Sequence, residues 1–141
     1  DLAYAPPYSS AKDPVNMAGF MIENIENGIL KQFHIEEIDQ LPKDGSVTLL
    51  DTRTPGEYAR GHVDGFQNIP VDVLREHLDG IEKGKPVYVI CQSGLRSYIS
   101  TRILTGNGYD VYNFSGGFRF YDAVTNDRCL METATACGMD K

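Results

Sequence analysis

Three short apolar runs, "VTLLDT" (47–52), "KPVYVI" (85–90) and "VYNF" (111–114), alternate with helically patterned stretches on short loops. That alternation restricts the chain to an α/β layer fold with a mostly parallel central sheet flanked by helices. The first run ends in an acid, the signature of a buried parallel strand reaching the carboxyl edge of its sheet. Thr54-Pro55-Gly56-Glu57 follows as a capping box with proline at the first helical position, opening a short helix. "GHVDGFQNIP" (61–70) reads as loop, short strand and stop, and "VDVLREHL" (71–78) as helix. A helix from about Arg96 to Leu104 ends near "GNGY", and Gly116-Gly117 leads into a helical "FRFYDAV". Ahead of these, "FHIEEIDQL" (33–41) suggests a short strand and a turn of helix.

The two ends depart from this alternation. Asp13-Pro14 supplies an N-cap and first-turn proline. Val15, Ala18, Gly19, Ile22 and Ile25 then follow at helical spacing, and Asn27-Gly28 provides the stop. Met17, Phe20 and Met21 lie off that stripe, so the helix is apolar nearly all round and expects burial on more than one side. After Val124 the pattern dissolves, and residues 126–141 read as a mobile tail or linker. The opening "DLAYAPPYSS" has no initiator methionine, which suggests a piece of a longer chain.

A net charge of −7 with no basic stripe argues against nucleic acid as a partner and leaves any anion site to be built locally. No apolar run approaches the roughly 18 residues that span a bilayer, so no membrane role is expected. Cys91, Cys129 and Cys137 are too few and too irregular for a disulfide framework, which points to a reducing cytoplasm. No metal site is expected, because His34, His62 and His77 cluster with none of the cysteines.

Cys91 closes the run Val87–Ile90, at the sheet edge where open α/β folds place their sites. The next helix begins within a few residues, so Gln92 to Arg96 must turn sharply, with Gly94 free to adopt a conformation other residues resist. Such a turn points several backbone N–H groups inward as a nest for an anion, here the cysteine's own thiolate or a group carried on it. On the local pattern alone, a small buried hydrophobe and a nucleophile are equally good readings of Cys91.

Four ordered blocks then add a resemblance. "LLDTR" (49–53), "GEYARGHVDGFQNIP" (56–70), "VICQSGLRS" (89–97) and "GGFRFY" (116–121) resemble the signature segments of the rhodanese-like sulfurtransferase domain, with Tyr121 where tryptophan is usual. The resemblance covers residues 29–125. It implies a rhodanese-like three-layer fold and a cysteine that takes sulfane sulfur from a donor such as thiosulfate, polysulfide or coenzyme A persulfide. The resulting persulfide yields its outer sulfur to a thiol, cyanide or a partner protein. Cys91 is then the nucleophile and carrier, and Gln92, Ser93, Gly94, Leu95, Arg96 and Ser97 form the anion-binding loop. Asp51, Arg53, Glu57 and His62 are supporting residues: Asp51 in the hydrogen bonding under the loop, His62 stabilising its turn. Arg96 either binds an anionic donor or pairs with Asp51 or Glu57. Arg53, Arg60 and Arg119 could ring the pocket mouth. Four residues separate Cys91 from Arg96. Related cysteine phosphatases have five, so the shorter loop favours sulfur over phosphate chemistry. The alternative from a different class is a rhodanese-like module that only binds or regulates. An inert loop of that kind would be expected to carry Asp, Ser or Gly in place of the cysteine. Either Cys129 or Cys137 could act as a resolving thiol, with an unreactive tail cysteine the preferred reading.

Residues 1–28, with "APPYSSAKDPVN" (5–16), resemble the C-terminal end of flavin-dependent pyridine nucleotide–disulfide oxidoreductases, especially the coenzyme A-disulfide reductase group. This implies a remnant of a flavoprotein dimerisation domain, whose helix would pack against the flavoprotein body of a homodimeric parent. FAD and NAD(P)H are implied for that parent. None is expected to bind this chain, which lacks a glycine-rich dinucleotide fingerprint.

Overall fold

The computed structural model describes residues 14–133, with the side chains of residues 14, 17 and 128–133 outside the description. The chain divides into two compact units between Gln32 and Phe33. In the first, α1 (Pro14–Glu26) is the helix expected from the sequence, and its proposed N-cap, Asp13, lies outside the described residues. Its Val15, Phe20, Met21, Ile22 and Ile25 are 42–60% exposed.

Five strands form one sheet in the order β1-β5-β4-β2-β3: β1 (Lys31–Phe33), β2 (Thr48–Asp51), β3 (Gln67–Asn68), β4 (Val87–Ile90) and β5 (Val111–Phe114). Pairs β2–β3, β2–β4 and β4–β5 run parallel, with Leu50 opposite both Gln67 and Val89, and Val89 opposite Asn113. The apolar runs serve two buried faces at once, because successive side chains alternate across a strand. Leu50, Val87, Val89 and Val111 pack on one face with Leu74, Ile103 and Leu104. Leu49, Ile90 and Phe114 pack on the other with Phe33, Ile35, Ile38 and Phe66. The first face is covered by α4 (Leu95–Gly106) and a 3-10 helix (Leu74–Gly80). The second takes α2 (Ile35–Ile38) and the first turns of α5 (Gly117–Thr133), through Phe118, Tyr121 and Val124. The architecture is therefore helix, sheet, helix. The capping box is present as read: Thr54 and Glu57 bond reciprocally at the start of α3 (Pro55–Arg60).

One expectation is refined and one corrected. The helix read over "VDVLREHL" is a 3-10 helix starting at Leu74, because this short connector closes i to i+3 bonds, such as Leu74 N–H to Val71 O and Ile81 N–H to Leu78 O. Residues 126–133 are helical, since α5 runs on to Thr133, while 134–141 lie outside the described residues. Thr125, Asn126 and Asp127 are exposed, so this part of α5 offers no apolar stripe by which the helix could be read.

Candidate active site

Strand β4 delivers Cys91 to the carboxyl edge of the sheet, where the residue is 1% exposed. The chain turns at Gly94, whose φ of +108° suits glycine, and α4 starts at the next residue. This turn aims the Gly94 N–H at Cys91 Sγ, 3.1 Å away. One helical turn on, the Ser97 hydroxyl lies 3.3 Å from the same sulfur and 3.0 Å from the Gly94 carbonyl oxygen. Its single proton can serve either acceptor.

The loop is held from behind by α5. Phe118 N–H donates to the Cys91 carbonyl at 2.7 Å, and Arg119 N–H to the Gln92 carbonyl at 3.2 Å. Gly117, at φ +70°, lets the two backbones meet: a Cβ there would stand 2.7 Å from Gln92 C and O and Ser93 N. No feature of "GGFRFY" alone announces that contact, because its partners Gln92 and Ser93 lie in a separate segment of the chain.

Beneath the loop, β2 ends in a buried ion pair. Asp51 accepts from the Arg53 backbone N–H and from its Nε and Nη2, the last at 2.7 Å, and both side chains are at most 2% exposed. Arg53 also donates to Gly61 O and to Gln92 Oε1, and its guanidinium lies 3.9 Å over the Phe118 ring. Thr52 ties this strand end to the last carbonyl before Cys91, its Oγ–H donating to Ile90 O. Asn68, which the sequence reading passed over, donates its amide to the Asp51 and Arg53 carbonyls.

Of the three arginines expected at the pocket mouth, Arg53 and Arg60 line a cleft, Arg53 while buried against Asp51, whereas Arg119 is exposed, is not among the lining residues and contributes its backbone. That cleft, of ≈ 380 Å³, is also lined by Glu57, Gln92, Phe118 and Asp122. Arg96 makes a two-pronged pair with Glu57, at 2.7 and 2.6 Å. The Arg96 hydrogen bond, helped by Thr54, holds the Glu57 carboxyl well below the usual carboxylate range, and Glu57 in turn raises the Arg96 guanidinium. Asp51 is thus spent on Arg53 rather than offered as a base. His62 stacks on Tyr58 at 4.0 Å and bonds the Tyr58 carbonyl through Nδ1. Ser93 and Leu95 are exposed on the loop. Cys129 sits on α5 with its side chain outside the described residues, as is all of Cys137. Among the described residues, no three or more His, Cys, Asp and Glu side chains group to hold a metal ion, and no helix is long and apolar enough to cross a membrane.

Comparison with known proteins places this geometry. Residues 34–123 match the family described as "Rhodanese-like domain". An uncharacterized protein of Bacillus subtilis, YqhL, is 40% identical over 72 residues, half of this chain and 57% of that protein. The thiosulfate sulfurtransferase GlpE of Shewanella oneidensis is 28% identical over 62% of this chain and 88% of its own length. Among solved structures, reduced Bacillus anthracis CoADR-RHD superposes with a TM-score of 0.80 at 44% identity, covering 91% of this chain and 23% of that one. An NAD-dependent persulfide reductase from A. fulgidus gives 0.67 at 36% identity, covering 86% and 21%. The matches therefore span 57% of YqhL and under a quarter of either solved chain, against 88% of the GlpE length. The 91% coverage is more than residues 33–141 alone could supply, so that likeness reaches into the first unit.

Proposed function

The chain belongs to the rhodanese-like domain family, and from that premise we propose that it transfers sulfane sulfur as a persulfide on Cys91. The observation that carries this reading is the pair of hydrogen bonds received by Cys91 Sγ, from the Gly94 amide and the Ser97 hydroxyl, at the opening of α4. Donors so arranged stabilise an anionic sulfur. In loading, the Cys91 thiolate attacks the outer sulfur of a donor. A new S–S bond forms on Cys91, the donor's bond to that sulfur breaks, and its electron pair leaves on the carrier, as sulfite from thiosulfate or a thiolate from a persulfide. In unloading, an incoming thiolate or cyanide attacks the outer sulfur and the Cys91 thiolate departs with its electron pair. Neither half needs an outside oxidant or reductant. The Ser97 proton turns from Gly94 O to sulfur when charge resides there.

The parent we propose is an FAD- and NAD(P)H-dependent disulfide or polysulfide reductase, homodimeric and cytoplasmic, with this domain following the flavoprotein. Three things support that placement: the sequence likeness of residues 1–28, the reach of the CoADR-RHD likeness into the first unit, and the exposed apolar side chains of α1, which a flavoprotein body would cover. FAD and NAD(P)H would be held by the rest of that parent, since no glycine-rich dinucleotide fingerprint lies in this sequence. Formation of thiocyanate from cyanide with thiosulfate or polysulfide as donor tests the transfer. It should be measurable for the wild type and abolished in Cys91→Ser; undiminished turnover in that variant would overturn the reading.

A further inference from the structure

The Cys91 loop contains one cationic side chain, Arg96, and its guanidinium is held by Glu57 through two hydrogen bonds. Gln92, Ser93, Gly94 and Leu95, which complete the turn, carry no charge. The other guanidinium reaching the loop, Arg53, is buried against Asp51 and offers Gln92 only its Nη1. Arg53, Arg60, Glu57 and Asp122 all line the cleft, two charges of each sign. The Glu57 carboxyl, held low by Arg96, stays ionised at neutral pH, and the bonds it accepts from the Thr54 N–H and hydroxyl fix it in place.

Thiosulfate brings two negative charges to an attacking thiolate, the second on a sulfonate adjoining the transferred sulfur. A rigid, unpaired guanidinium is the group that matches such an oxyanion. A persulfide brings one charge, on the outer sulfur that Cys91 attacks, and has no sulfonate for a guanidinium to bind, while the Gly94 and Ser97 donors serve Cys91 Sγ itself. We propose that Glu57 sets the donor preference of this site: by holding Arg96 it withholds the guanidinium from dianionic donors and favours persulfides carried on thiols. This rests on the Cys91 carrier reading and extends it to the class of donor.

The test compares the rates of Cys91 loading, followed by intact mass, from thiosulfate and from cysteine persulfide. Glu57→Gln is the variant of choice, because glutamine also serves at the third position of a capping box. It should raise the thiosulfate-to-persulfide rate ratio about tenfold at low ionic strength, the scale of one charge-assisted hydrogen bond. The gain should vanish in the Glu57→Gln/Arg96→Gln double variant. Wild-type loading by thiosulfate should accelerate less on lowering salt than that of Glu57→Gln, in which Arg96 is released from its pair. An unchanged ratio in Glu57→Gln, a gain that survives in the double variant, or loading lost from both donors in Glu57→Gln alone would overturn the inference while leaving the carrier role standing. A wild-type protein that loads from neither donor would remove the carrier reading, and this inference with it.

Discussion

Two carboxylate–guanidinium pairs support the Cys91 loop, and they differ in burial far more than in geometry. Asp51–Arg53 and Glu57–Arg96 close at 2.7 and 2.6 Å, yet the first is at most 2% exposed and the second 23–29%. In the buried pair the guanidinium is tied beyond Asp51 as well, to Gly61 O and Gln92 Oε1. Removing one partner would leave a charge in the core with no route to water. Water reaches the other pair, so its partners can be exchanged at modest cost. The inner pair builds the platform, and the outer one is placed to tune what the loop meets.

The largest expected effect breaks the inner pair. Asp51→Asn should destabilise the domain by about 3–5 kcal/mol in urea titration, because the Arg53 guanidinium loses its counter-charge while buried. A loss no greater than that of Glu57→Gln would erase the distinction. Next is Gly117→Ala, whose Cβ would meet loop backbone that has no flexible end to yield; it should cost about 1–3 kcal/mol and slow Cys91 loading. Glu57→Gln should cost about 1 kcal/mol or less near neutral pH, with a pH signature. The folded Glu57 carboxyl lies below its unfolded value, so its contribution is complete above the ordinary glutamate pKa of ~4.3 and is lost as pH falls from there toward the depressed value. Melting curves of wild type and Glu57→Gln should therefore differ by a constant amount above about pH 5 and converge below it. The smallest effect belongs to His62→Ala, which loses an exposed stack on Tyr58 and should lower stability by about 0.5 kcal/mol.

The same contrast explains what the sequence made legible. Strands β2, β4 and β5 were readable because each buries both faces and so appears as a continuous apolar run, "TLLD", "VYVI" and "VYNF". Cys91 was readable from its place at a strand end before a glycine turn, and Thr54–Glu57 from local capping chemistry. Arg53 was not. An arginine two residues beyond a strand looks like a surface charge until Asp51, Gly61 and Gln92 close round it, and two of those partners lie outside its segment. Arg96 left two readings open, because only the fold brings Glu57, 39 residues earlier, to within 2.7 Å of it. Gly117 failed for the same reason, its contact with Gln92 and Ser93 being set by how α5 returns to the sheet edge. Helices α1 and α5 mark the opposite limit. An apolar pattern in α1 finds exposure rather than burial among the described residues, and α5 continues through Thr133 without an apolar stripe to announce it.

The carrier role of Cys91 is tested most directly by intact-protein mass spectrometry after brief exposure to thiosulfate or polysulfide. The account predicts one added sulfur atom on the wild type, removed by cyanide and absent from Cys91→Ser. A folded wild-type protein that gains no sulfur from either donor, or a Cys91→Ser variant that still gains it, would contradict the account.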